Sequence, residues 1–190
     1  MTAGGDANAA DESDDLSAGG PVALRIAREL AALCPLDDSC FKVAATGDSR
    51  GKGLFVGDEP IDAGTYLFDY RGKLLEQPEY DARYNSGAAV EIRADYAVCI
   101  ERPDFSSVYL DGQDPLESNI ARYMNHADVA PNCRVSTLYE PTARALMFAS
   151  RDLEVGEEMC WDYGPNYWRD RDDKVAEARP WWKPAWAPWA

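Results

Sequence analysis

Residues 119–126 read Asn-Ile-Ala-Arg-Tyr-Met-Asn-His, Pro131-Asn132-Cys133 follow shortly after, and Gly156-Glu157-Glu158-Met159-Cys160-Trp161-Asp162-Tyr163-Gly164 forms a second block. His126 is the only histidine of the chain, which excludes a His-Glu-x-x-His zinc hydrolase, since that chemistry needs two. A Ser-His-Asp hydrolase could use His126, but a nucleophile elbow is not expected. A buried asparagine beside such a histidine can satisfy several backbone groups at once and so stabilise an irregular crossing of the chain.

Outward from these blocks, composition sets bounds. The chain has 190 residues, enough for one domain with a sizeable core and short extensions. Its net charge is −15. Residues 1–20 hold five acids and no base, which leaves 29 acids against 19 bases in the remainder. So acidic a body lacks the basic footprint of a nucleic-acid binder and suits a basic partner. No apolar run reaches the roughly 20 residues of a membrane helix, and the N-terminus has no signal-peptide pattern. Five cysteines, an odd number without a Cys-x-x-Cys pair, predict reduced thiols and an intracellular protein. Cys99 and Cys133 lie in apolar strand-like runs and are expected in the core.

Residues 1–20 are too poor in apolar side chains to order themselves and are expected to be disordered. Val22, Ile26, Leu30 and Leu33 recur at helical spacing, ended by Pro35, which gives a helical flank over 21–40. Short strand-like segments follow at 41–46, 53–56, 65–70, 89–93, 96–101, 107–110, 133–139 and 144–150, with a helix from Pro78 to Tyr84. The pattern predicts a mostly β (β-rich α+β) domain with non-local pairing. Alternating strand–helix units are missing, so a Rossmann-type architecture is excluded. Residues 169–190 form a Trp-rich flank, and five of the six tryptophans lie at or beyond position 168. Such aromatics are expected to fold back on the domain, as a clamp or as a lid over a ligand site.

The two blocks closely resemble the signature motifs of the SET-domain protein lysine methyltransferases, Arg-Phe-x-Asn-His-x-x-x-Pro-Asn and Glu-Leu-x-x-Asp-Tyr. The resemblance covers roughly residues 41–168. It implies the SET fold: several small β-sheets around a pseudoknot, in which the first block threads beneath a loop formed by the second. It also implies S-adenosyl-L-methionine as cofactor and a lysine in a basic protein or peptide, such as a histone tail, as substrate. A histone substrate would make the protein nuclear, and another basic substrate would allow a cytoplasmic one. A monomer is expected. A SET-like domain that only binds a peptide or partner is the alternative.

The resemblance also assigns residues. Gly51-Lys52-Gly53-Leu54 stands where the family has Gly-x-Gly, so Lys52, Gly53 and Leu54 become cofactor contacts, together with Tyr96, Arg122, Asn125 and His126. Tyr163 matches the catalytic tyrosine. Its hydroxyl would orient the amine rather than act as a base, given the ordinary tyrosine pKa near 10. Tyr70, Tyr109 and Trp161 would line the channel for the substrate lysine. Trp161 stands where the family usually has Phe or Tyr, the position that tunes methyl number. Lacking a hydroxyl it favours di- or trimethylation, while its bulk could enforce one methyl. Tyr109-Leu110-Asp111-Gly112 departs from the family's Tyr-x-x-Asp-Ala by one residue, which leaves Asp111 without a role. Ala127-Asp128 replace the family's frequent Ser-Cys and no cysteine follows Cys160, so no metal is expected.

Overall fold

The fold is built from ten short strands, seen in a computed structural model that describes residues 33–85, 93–140 and 142–168. These fall almost wholly within one compact unit that starts at Cys34. The helix expected over 21–40 lies largely outside the described residues, as do the segment 1–20, most of the candidate strand 89–93 and the Trp-rich flank 169–190.

Strands β1 (Phe41–Ala45) and β2 (Lys52–Val56) form an antiparallel hairpin. Its loop closes with Thr46 N–H donating to Gly51 O at 2.9 Å, and Gly51 takes φ +83°, a backbone that glycine adopts without steric cost. Gly47-Asp48-Ser49-Arg50-Gly51 does spell Gly-x-Ser-x-Gly, contrary to expectation. It is a hairpin loop, not the strand-to-helix turn that exposes a nucleophilic serine.

Strands β3 (Tyr66–Tyr70), β8 (Cys133–Leu138) and β9 (Arg144–Ala149) make an antiparallel sheet in the order β3-β9-β8. A second antiparallel sheet has the order β4-β6-β5, from β4 (Lys73–Glu76), β6 (Ser107–Asp111) and β5 (Ala97–Glu101). Helix α1 (Gln77–Tyr84) follows β4 directly, with Pro at its first turn and a capping box between Glu76 and Glu79. Leu54, Leu67, Ile100, Val108, Met147 and Met159 fill the shared core.

Eight expected segments are strands or a helix within a residue or two at each end. Strand β4 was not expected, because Lys-Leu-Leu-Glu carries no β-branched or aromatic signal. Cys99 corrects its expectation. Val98 and Ile100 face the core, so the two-residue period of β5 turns Cys99 outward, and only Cys133 is buried.

The smallest sheet ties the ends of the domain together. Strand β7 (Asn125–His126) pairs parallel with β10 (Cys160–Trp161). On its other side the segment before β10 clasps β2: Met159 N–H donates to Leu54 O at 2.8 Å, and Val56 N–H to Glu157 O at 2.9 Å. Asn132, 4% exposed, spans the crossing. Its amide donates to Glu157 Oε1 (2.9 Å) and Glu158 O (2.8 Å), and its carbonyl accepts Cys160 N–H (2.8 Å). Segments more than thirty residues apart thus meet in one backbone weave, held by a side chain that supplies both donor and acceptor.

Candidate active site

The β7–β10 pair carries Asn125, His126 and Trp161 and delivers Tyr163 just beyond it. Tyr163 donates its hydroxyl to Met124 O at 2.7 Å and its backbone N–H to His126 Nδ1 at 3.1 Å. Burial, with neighbouring tyrosines adding to it, pushes its hydroxyl pKa well above the usual value of 10.0. The group is therefore a protonated donor, with lone pairs left for another partner. Burial pushes the His126 pKa down from 6.5, outweighing the opposing pull of Asp162 at 3.8 Å. The neutral ring accepts at Nδ1, so its proton sits on Nε2, a buried atom with no well-formed hydrogen bond among the described residues, although the Trp161 backbone also pulls the ring's pKa upward. Trp168, in the short helix α2 (Pro165–Trp168), packs edge-on against the same ring with centroids 4.8 Å apart.

On one side of Tyr163 opens a cleft of about 580 Å³. Tyr70, Tyr96, Tyr109, Arg122 and Trp161 line it with Tyr163, so six of the expected site residues meet there. Tyr70, 5% exposed, donates its hydroxyl to Tyr96 O at 2.7 Å, and burial raises its pKa. Gly112 is fixed by that contact, since a Cβ there would meet the Tyr70 hydroxyl at 2.7 Å. The Arg122 guanidinium lies 4.3 Å from the Tyr96 ring centroid, a cation–π contact, and donates to Gln113 O at 3.3 Å. Its Nε is buried and has no hydrogen-bond partner among the described residues. Tyr109 stacks on Tyr80 at 3.8 Å and donates its hydroxyl to Gln77 Oε1 at 2.8 Å, which binds α1 to the cleft wall.

The other expected residues form a second group across the β7–β10 pair. Asn125 donates to Lys52 O (3.1 Å) and Glu158 Oε1 (2.8 Å), and Glu158 also pairs with Arg50 at 2.9 Å. A Cβ on Gly53 would lie 2.7 Å from that Glu158 oxygen, so glycine is what lets β2 approach it. Leu54 is fully buried. Lys52 is exposed, with Nζ 5.9 Å from the Tyr123 ring centroid.

Asp111 has a structural place after all: 1% exposed, it accepts from the Tyr84 hydroxyl at 2.7 Å and pairs with Arg83 at 3.0 Å, fastening α1 to β6. Sequence reasoning missed Tyr80 and Tyr167, which complete the aromatic cleft, and Trp168. The aromatic run Tyr167-Trp168 was the signal available for two of them.

The sequence profile of the SET domain matches residues 51–164, the stretch that holds every residue of both groups described above except Arg50, Tyr167 and Trp168. The chain belongs to the SET domain family. It is 30% identical over 123 residues to the probable histone-lysine N-methyltransferase set-23 of Caenorhabditis elegans, covering 61% of this chain and 47% of that protein. To the N-lysine methyltransferase KMT5A-A of Danio rerio it is 27% identical over 137 residues, covering 72% of this chain and 37% of that one. The SET domain chain thus spans less than half the length of these curated relatives. Among solved structures, polycomb repressive complex 2 of Chaetomium thermophilum shares the fold, with a TM-score of 0.54 over 66% of this chain and 15% of that one, at 23% identity.

Proposed function

We propose that this SET domain is an S-adenosyl-L-methionine-dependent protein-lysine N-methyltransferase that acts on a lysine in a basic protein segment, a histone tail being the foremost candidate. The observation that carries this reading is Tyr163: a half-buried, protonated hydroxyl anchored on Met124 O, at the junction of an aromatic cleft and the Asn125–His126 segment.

Two buried donors without a well-formed hydrogen bond among the described residues, His126 Nε2 and Arg122 Nε, fit a ligand rich in acceptors, as a purine nucleoside with an amino-acid carboxylate is. Lys52, Gly53, Leu54, Tyr96, Arg122, Asn125, His126 and Tyr163 would hold it, with Leu54 acting through its backbone because its side chain is in the core. The cofactor supplies a methyl group on a sulfonium, which a neutral amine can attack.

The chain's own residues prepare that amine. Tyr70, Tyr96, Tyr109, Trp161 and Tyr163 strip water from a lysine that enters the cleft, and desolvation lowers the pKa of an ammonium. The Arg122 charge acts in the same direction. Tyr163 is held too firmly protonated to take a proton, so the amine loses it to solvent before entry is complete. The Tyr163 oxygen, its own proton committed to Met124 O, then accepts an N–H from the amine and fixes its direction.

Among the described residues β5 and β8 are edge strands, and their residues Ala97, Cys99, Val135 and Thr137 line the cleft. An extended peptide can add to the β5 edge. A histone substrate would place the protein in the nucleus.

The test is mass spectrometry of histones and other basic proteins after incubation with the pure protein and cofactor. Mass gains of one, two or three methyl groups on a defined lysine are expected, and they also read the methyl number that Trp161 permits. Cofactor binding without any methylated lysine would leave a silent binding domain.

A further inference from the structure

We propose that Glu101 selects a basic residue in the substrate, about four positions from the lysine that is methylated. The inference rests on the methyltransferase reading for what enters the channel, but its own basis is the charge and geometry of β5.

Of the acids around the cleft, most are engaged. Asp95 accepts the Tyr167 hydroxyl at 3.4 Å and Asp162 accepts Gly164 N–H at 2.8 Å. Glu101 lines the same cleft, is exposed, and has no ion pair or side-chain hydrogen bond among the described residues. A carboxylate at a cleft wall with no internal partner is available to a charge brought by the ligand.

Its position fixes which charge. The deep end of the cleft lies where Tyr70 meets Tyr96 O, with Tyr163 and Trp161 beside it, at the start of β5. Glu101 ends the strand, four residues beyond Ala97, so about 13 Å away at the ordinary strand rise. Ala97, Cys99 and Glu101 share one face by the two-residue period, and all three line the cleft. A peptide added along β5 with its target lysine at the Ala97 end presents the side chain four positions away to Glu101. Between them it crosses Cys99, Tyr80 and Tyr109, a stretch without charge. Val135 and Thr137 of β8 bound the other side.

The experiment uses a set of lysine-centred peptides that differ only in carrying Arg, Gln or Glu at each position out to five on either side. Both kcat/KM and the Kd from fluorescence anisotropy are measured for the full chain, Glu101→Gln and Glu101→Lys. The full chain is expected to favour Arg over Gln by about 2- to 5-fold at one position about four residues from the lysine, the range of an exposed ion pair. Glu101→Gln should remove that preference, and Glu101→Lys should turn it towards Glu. Because the preference is a ratio between peptides on one protein, a general loss of activity does not imitate it. Transfer with the same Arg preference in all three proteins overturns the role of Glu101 and leaves the methyltransferase reading intact. Binding selectivity that follows position 101 without any transfer supports the inference and removes the enzymatic reading.

Discussion

The chain crossing and the cleft wall sit on either side of Tyr163 and are built in opposite ways. The crossing is held by side chains that hydrogen-bond backbone groups and two carboxylates. Asn132 joins Glu157, Glu158 and Cys160, Asn125 joins Lys52 and Glu158, and Tyr163 joins Met124. The wall is held by rings against rings: Tyr80 on Tyr109, Tyr167 on Tyr163, Trp161 on Tyr163. A buried hydrogen bond, once broken, leaves an unsatisfied partner behind, whereas a lost ring contact forfeits packing alone. Damage to the crossing should therefore appear in folding, and damage to the wall in substrate affinity.

Asn132→Ala should have the largest effect. It orphans the Glu158 carbonyl and the Cys160 N–H in the core of the crossing. At about 1–3 kcal/mol for each buried group left unpaired, the loss should reach about 3 kcal/mol or more. Denaturant unfolding measures it. A variant as stable as the parent would show that the crossing does not depend on this side chain.

Tyr80→Ala should behave in the opposite way. It removes the stack on Tyr109 from a part-exposed position, at a stability cost of about 1 kcal/mol. The KM for peptide should rise several-fold while cofactor affinity stays the same. A large fall in unfolding midpoint with unchanged KM would reverse the division of labour between wall and crossing.

The smallest effect is that of pH on the crossing. His126 has its folded pKa lowered below 6.5 by burial, so near that pH the unfolded chain binds more protons than the folded one. Stability should rise as pH increases from the depressed folded value to about 6.5, and this contribution should be complete above it. Glu157, held down at about 2 by Arg151, contributes stability that is present above 4.5 and lost as pH falls towards 2, on the acid side of the 6.5 at which the His126 contribution is complete. Unfolding midpoints at pH 5.5 and 7.5 should differ for the parent and converge for His126→Gln. An unchanged difference in that variant would assign the effect elsewhere.

The same contrast explains what could be read in the sequence. Apolar runs between turns announce β3, β5, β6 and β9, because each buries residues that it supplies itself, whereas β1 and β8 each bury only their first residue. Strands β7 and β10 have two residues each and no local signal. They exist only because distant segments meet, and only the resemblance of the two blocks to SET motifs gave them a place. For the site, the expected channel residues Tyr70, Tyr109 and Trp161 do line one cleft with Tyr163. Tyr96 and Arg122, expected among the cofactor contacts, line that cleft as well, while Lys52, Gly53, Leu54, Asn125 and His126 do not. Tyr80 lay hidden because two turns of helix sequence do not tell which strand the ring will meet. Cys99 was misplaced because hydrophobic character outweighed the strict alternation of its strand.

The proposed role of the Tyr163 hydroxyl is to orient an amine at the end of the cleft. It is tested most directly by comparing Tyr163→Phe with the parent in single-turnover methyl transfer to a lysine peptide, with cofactor and peptide Kd measured on both. Transfer should fall by about 100-fold or more, in the range seen when one oriented group is removed, while both affinities stay within a few-fold. Near-parental transfer by the phenylalanine variant would contradict it.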